Sequence, residues 1–137
     1  MRTIIIFAIC LFLAPLTFLS AQSTLTVEIT GLENNKGRVI VALLDKHKKD
    51  VADQSSIITY KKCTVTFKDL KHGQYAIRFI HDENENEELD TNILGIPKEG
   101  FGFSNDAMGK FGPKDFKEWL FEASGDTIIK MIANYMF

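Results

Sequence analysis

Cysteine is scarce in this chain: there are two in 137 residues, Cys10 and Cys63. Cys10 falls inside an apolar leader, so a processed chain keeps one thiol and cannot staple itself with an internal disulfide. Paired Cys or His spacings of the kind zinc sites use are missing. So is any long amphipathic helical pattern. There is no surplus of positive charge, since 16 Lys and Arg face 18 Asp and Glu and the basic residues are scattered. Phosphate-backbone binding needs clustered cations, which excludes nucleic acid as a partner and disfavours anionic membrane surfaces.

The leader itself is informative. Arg2 precedes an apolar run from Ile4 to Leu19, broken by Pro15 and followed by Ser20-Ala21-Gln22. That is the pattern of a secretory signal peptide over residues 1–21, cut after Ala21, with Ser20 as the alternative site and an uncleaved anchor as the alternative fate. A secreted or periplasmic location follows, with no membrane insertion once the leader is gone. Residues 22–137 then form one domain of 116 residues with 15 basic and 18 acidic residues, a formal charge of −3. A chain of that size buries a real core.

Past the leader the dominant signal is period-two alternation rich in Val, Ile, Thr and aromatics, interrupted by turn residues at short intervals. This predicts an all-β fold: a single antiparallel β-sandwich of about seven strands. Leu25–Thr30 and Arg38–Leu44 read as a hairpin, residues 45–56 as an exposed charged connection or one short helical turn, Ser56–Tyr60 and Lys62–Phe67 as short strands, and Asp69–Gly73 as a turn. Gln74–Ile80 is expected to turn Tyr75, Ile77 and Phe79 toward the core. Trp119–Ala123 and Asp126–Tyr135 read as a closing hairpin around Ser124-Gly125-Asp126. Cys63 sits in an alternating run, as a buried thiol or as half of an intermolecular disulfide.

The strand after Gln74 feeds a dense ladder of oxygen-bearing side chains, His81-Asp82-Glu83-Asn84-Glu85-Asn86-Glu87-Glu88-Leu89-Asp90. Asp82, Asn84, Asn86 and Asp90 occupy loop positions 1, 3, 5 and 9, the spacing by which calcium loops turn alternate side chains inward. With the Glu88 carbonyl they supply five oxygens. Ile93 stands where an EF-hand needs a bidentate Glu and Glu87 where it needs Gly, so this is no EF-hand. Glu99 is the candidate for the missing ligand, with Asp106 behind it. The alternative is a hydrated turn that holds no specific ion.

Periodicity vanishes between residues 95 and 116, where glycines and prolines alternate with Phe101, Phe103, Phe111 and Phe116. A loop of this length with that apolar mass either packs onto the end of the domain or forms an aromatic platform for a glycan or peptide. Catalysis has thin support. A metal-assisted hydrolase would use His81 beside Asp82 with Glu99 as base. His47 and His72 have no companion pattern, and Ser104 lacks the flanking glycines of a nucleophile elbow.

The run from Tyr75-Ala76-Ile77 through His81-Asp82-Glu83-Asn84, Asn86, Leu89-Asp90, Asn92, Gly95-Ile96-Pro97, Glu99, Gly102-Phe103-Ser104-Asn105 and Phe111-Gly112-Pro113, with Gly37-Arg38-Val39 earlier, resembles a family of small secreted bacterial proteins, domain of unknown function 2141. The resemblance implies an immunoglobulin-like or prealbumin-like sandwich and carries over no activity. Glu85 and Glu87 depart from it where glycine is common, and Lys114 where a second proline is common. The expectation is therefore a secreted or periplasmic, non-catalytic module, calcium-stabilised through residues 82–90, with a protein, peptide or glycan as partner.

Overall fold

A computed structural model describes residues 22–136; the signal-peptide reading of residues 1–21, Cys10 included, and Phe137 lie outside the described residues. The fold is all-β. Among the described residues ten strands run in chain order: β1 (Gln22–Thr30), β2 (Arg38–Asp45), β3 (Asp50–Ile57), β4 (Cys63–Lys71), β5 (Gly73–Asp82), β6 (Phe101–Phe103), β7 (Met108–Gly109), β8 (Gly112–Pro113), β9 (Phe121–Ala123) and β10 (Thr127–Ile132). One sheet has the order β10-β1-β4. A second has the order β3-β2-β5-β6, with β9 also on β5, and β7 and β8 pair by themselves.

Strict alternation makes β1 bury Leu25, Val27 and Ile29 on one side. The inward residues of β2 (Val39, Val41, Leu43), β4 (Val65, Phe67) and β5 (Tyr75, Ile77, Phe79) join them in one cluster, so both sheets face a common core. The expected core face of β5 is therefore the one observed. Outward residues of β2 and β5 are also covered at one end. Leu44 and Ala76 pack with Ala107 and Trp119, and Phe103, Phe116 and Leu120 lean on that cluster. This explains the near-continuous apolar run Val39–Leu44, which serves two faces.

Four readings of the sequence are corrected. Leu25–Thr30 and Arg38–Leu44 form no hairpin, because β1 pairs with β4 and β10 whereas β2 pairs with β3 and β5. Residues 45–56 are more than a connection: Asp50–Ile57 is edge strand β3, and its mostly exposed burial pattern hides the periodicity. The closing hairpin is absent as well. β9 joins β5 antiparallel, while β10 crosses to the other sheet and runs parallel to β1, so that sheet is mixed. The connection uses Gly125 at φ 156°, and Asp126 Oδ1 accepts the Thr24 backbone N–H at 2.9 Å. Finally, Asp69 to Gly73 is a turn only at its end, since β4 continues to Lys71.

Of the four phenylalanines between residues 95 and 116, three pack. Phe101 is buried, Phe103 lies 4.2 Å from the Trp119 ring and Phe116 lies 5.4 Å from it. Phe111, at the tip between β7 and β8, is fully exposed. We expect Trp119→Ala to lower the unfolding free energy by about 3–5 kcal/mol, and Phe111→Ala to change it by less than about 0.5 kcal/mol, both read by urea denaturation. Equal losses would place the tip in the packed layer. Cys63 is buried, and burial pushes its thiol up to about 11. Ellman's reagent at pH 8 is expected to label it only after unfolding; prompt labelling of the native chain would contradict its burial.

Candidate functional site

The 82–90 segment leaves β5 at Asp82, which is paired in register with Arg38. Asp82 is 0% exposed, yet both of its carboxylate oxygens are engaged. The backbone N–H of Asn86 donates to Oδ1 at 3.1 Å and that of Glu87 to Oδ2 at 2.9 Å. Glu99, 5% exposed, does the same at the other side of the loop. Its Oε1 accepts the Glu83 N–H at 2.9 Å and its Oε2 the Asp90 N–H at 3.0 Å. Burying a carboxylate is costly unless hydrogen bonds replace its water, and here four backbone donors do so.

Nearer to solvent, Asn84 Oδ1 accepts from the Asn86 N–H at 3.2 Å and Asn86 Oδ1 from the Glu88 N–H at 3.0 Å, two successive Asx turns. The same two amides donate to Asp90, Asn84 Nδ2 at 2.6 Å and Asn86 Nδ2 at 2.9 Å. Asp82, Asn84, Asn86, Asp90 and Glu99 are therefore brought into one hydrogen-bonded assembly, while the Glu88 side chain stays exposed. Asp106 is elsewhere, in the short 3-10 turn Ser104–Asp106, with no hydrogen bond to the loop among the described residues. In kind, these donors suit a hard cation, because each of the side chains presents oxygen and several retain a free lone pair. In arrangement the carboxylates are occupied by N–H groups, and among the described residues no three His, Cys, Asp or Glu side chains are grouped to hold a metal ion.

Glu85 and Glu87 have φ of 59° and 66°, the left-handed region where glycine is ordinarily favoured. Both departures from the family pattern thus fall where the backbone needs that conformation, and the loop keeps it. Arg38 reaches Glu85 at 3.5 Å. Gly37, at φ 62°, lies so close that a Cβ there would collide with the Asp82 carbonyl oxygen. That contact explains a glycine beside the β2 entry.

His81 is wholly buried. Its Nε2 lies 2.9 Å from the Lys36 carbonyl oxygen, which only accepts, so Nε2 carries the hydrogen. Nδ1 then accepts from the Tyr135 hydroxyl at 2.7 Å, and that hydroxyl accepts the Glu33 N–H at 3.1 Å. Burial raises the Tyr135 phenol above its ordinary value, which keeps the donating proton in place. The histidine therefore ties the β1–β2 connection and the C-terminal segment to β5, and neither ring nitrogen is left over for a ligand. Ser104, also buried, is committed too, donating to the Trp119 carbonyl at 2.6 Å and accepting the Ile77 N–H at 2.9 Å.

A concavity of about 720 Å³ lies on the outer face of the five-stranded sheet. Register defines its floor as two rows crossing the strands: Ser55, Ile40, Ile80 and Phe101, then Asp53, Ala42, Arg78 and Phe103. Glu87 and Leu89 of the 82–90 loop complete one wall and Arg38 lies beside them. Sequence reading missed this feature, since its residues come from four separate strands and a loop. A smaller polar cleft gathers His47, His72, Asp45 and Glu122. The two histidines that had no companions in sequence thus share a surface.

Comparison with known proteins gives one match. The model of the DUF2141 family, described as "Uncharacterized protein conserved in bacteria", covers residues 27–130. The chain belongs to that family. No curated protein and no solved structure matches it.

The double grip of Glu99 generates a test. Glu99→Ala removes the acceptor of two part-buried N–H groups and is expected to cost about 3 kcal/mol, since bonds to charged groups contribute about 1.5–3 kcal/mol each. Hydrogen exchange should speed up at the Glu83 and Asp90 amides. Glu88→Ala is expected to change stability by less than about 0.5 kcal/mol. Unchanged protection at both amides would remove Glu99 from the role assigned here.

Proposed function

We propose that this DUF2141 member is a non-catalytic binding module of the bacterial envelope or exterior: an immunoglobulin-like or prealbumin-like β-sandwich whose 82–90 loop, ordered by calcium, walls a ligand groove. One observation carries the reading. Glu87 and Leu89 of the acidic loop line the same concavity as the outer face of β2 and β5, so whatever orders the loop shapes the groove. Its size lies within the roughly 300–1,000 Å³ usual for ligand sites, and its floor is largely apolar.

Asp82, Asn84, Asn86 and Asp90, with the Glu88 carbonyl and Glu99, are the residues that would hold the ion. The ion would supply positive charge to a segment where six carboxylates, Asp82, Glu83, Glu85, Glu87, Glu88 and Asp90, fall within nine residues. Arg38 pairs with Glu85 and the neutral Asn34 amide donates to Glu83 at 3.1 Å, and among the described residues no Lys or Arg lies within ion-pair distance of Asp82, Glu83, Glu87, Glu88 or Asp90. The saturation of His81 by Tyr135 and Lys36 favours binding over a hydrolytic use of His81, Asp82 and Glu99. Export is supported by the leader pattern of residues 1–21.

A thermal-unfolding titration of chelator-treated protein tests the calcium reading. An affinity of about 10⁻⁴–10⁻³ M, usual for extracellular modules, predicts stabilisation of about 1.4–2.7 kcal/mol at roughly 10 mM calcium. Magnesium should give less, and Asp90→Ala, which leaves both buried carboxylates in place, should abolish the calcium response. A flat titration, or an equal response in Asp90→Ala, would sink it.

A further inference from the structure

We propose that the groove takes a short, extended, apolar and basic peptide segment, with its Lys or Arg side chains against Asp53 and Glu87. The proposal rests on the binding-module reading and adds the chemistry of the occupant. Both arginines at the groove are already matched: Arg78 Nη2 lies 3.2 Å from Asp50 and Arg38 Nη2 lies 3.5 Å from Glu85. Asp53 and Glu87 also line the groove, and among the described residues neither is within ion-pair distance of a basic side chain. The unbalanced charge facing an incoming ligand is therefore negative, and it sits at two separate places, Asp53 at the β3 end of the floor and Glu87 on the loop wall.

Size narrows the occupant. Arg38 and Ala42 lie four residue steps apart along β2, about 14 Å at roughly 3.4 Å per step, and the floor spans four strands, three gaps of about 4.8 Å each. A surface of those dimensions exceeds a lone amine and matches several residues of extended peptide. Between the walls, Ile40, Ala42 and Ile80 offer no hydrogen-bonding side chain, so the central residues of the peptide would be apolar. Opposite charge at the rim supplies selectivity and steering more than affinity, and it excludes acidic competitors by repulsion. The formal charge of −3 on residues 22–137 acts in the same direction.

The test uses three peptides on the ¹⁵N-labelled protein at low salt: acetyl-Ile-Lys-Phe-Lys-Ile-amide, and the same sequence with Glu or Gln in place of both Lys. The lysine peptide is expected to shift the amide resonances of Ile40, Ala42, Asp53, Ile80 and Leu89 and to bind at least tenfold tighter than the glutamate peptide. That preference should disappear in Asp53→Asn/Glu87→Gln, a variant altered only at exposed side chains whose spectrum independently reports its folding. Equal binding of all three peptides in the groove, or a preference that survives in the variant, would overturn the basic-peptide assignment and leave the module reading standing. Tighter binding of the glutamate peptide would overturn it in favour of Arg38 and Arg78. No shift at the groove with any peptide at several millimolar would overturn both.

Discussion

Two buried carboxylates, Asp82 and Glu99, each holding two backbone N–H groups, are the constraint on which the 82–90 loop and the groove wall it forms depend. A nine-residue loop whose one apolar member is Leu89 has little apolar surface to bury, so hydrophobic packing alone does not fix its shape. The carboxylates do. Asp82 grips the middle of the loop at residues 86 and 87, and Glu99 joins its two ends at residues 83 and 90. Because Glu99 immediately precedes Gly100 and β6, the same side chain couples the loop to the strand that extends the sheet.

The arrangement converges on β5. This strand carries the core face of Tyr75, Ile77 and Phe79, pairs with β2 from Tyr75 to Asp82, receives β6 and β9 on its other edge and ends in His81-Asp82. His81 ties in the β1–β2 connection through Lys36 and the C-terminal segment through Tyr135, whose ring lies so close to Gly100 that a Cβ there would clash with it. Three segments distant in sequence thus meet where the loop begins. Buried polar groups of this kind are stabilising when every partner is present, and no buried side-chain N or O atom among the described residues lacks one.

What could be read from sequence follows a physical line. Local alternation revealed β1, β2 and β5 and the inward face of β5, since a two-residue period is a property of the strand alone. The oxygen ladder singled out Asp82, Asn84, Asn86 and Asp90, and the structure joins all four with Glu99 from outside the ladder. Partner choice was not legible. Ser124-Gly125-Asp126 is good turn chemistry, but whether β10 returns beside β9 or crosses to β1 is decided by where Ile129 and Met131 find cover. The polar edge strand β3 was hidden because one face is wet, and the groove because its floor is defined by inter-strand register. Asp106, the second candidate behind Glu99, is carried elsewhere by the 3-10 turn Ser104–Asp106.

Glu85 and Glu87 bring these strands of argument together. A non-glycine residue in the left-handed region costs roughly 1–2 kcal/mol, and the loop holds two of them within three residues. Backbone geometry alone favours glycine at both. The four hydrogen bonds to Asp82 and Glu99, at about 1.5–3 kcal/mol each, exceed that strain and hold the conformation without glycine's help. The loop is thereby released to carry side chains at positions where a weaker closure would require none. One of them, Glu85, matches Arg38, and the other, Glu87, lines the groove with no basic side chain in ion-pair distance among the described residues. The buried carboxylates thus do more than shape a turn: they make it possible for charge to be displayed at the groove wall.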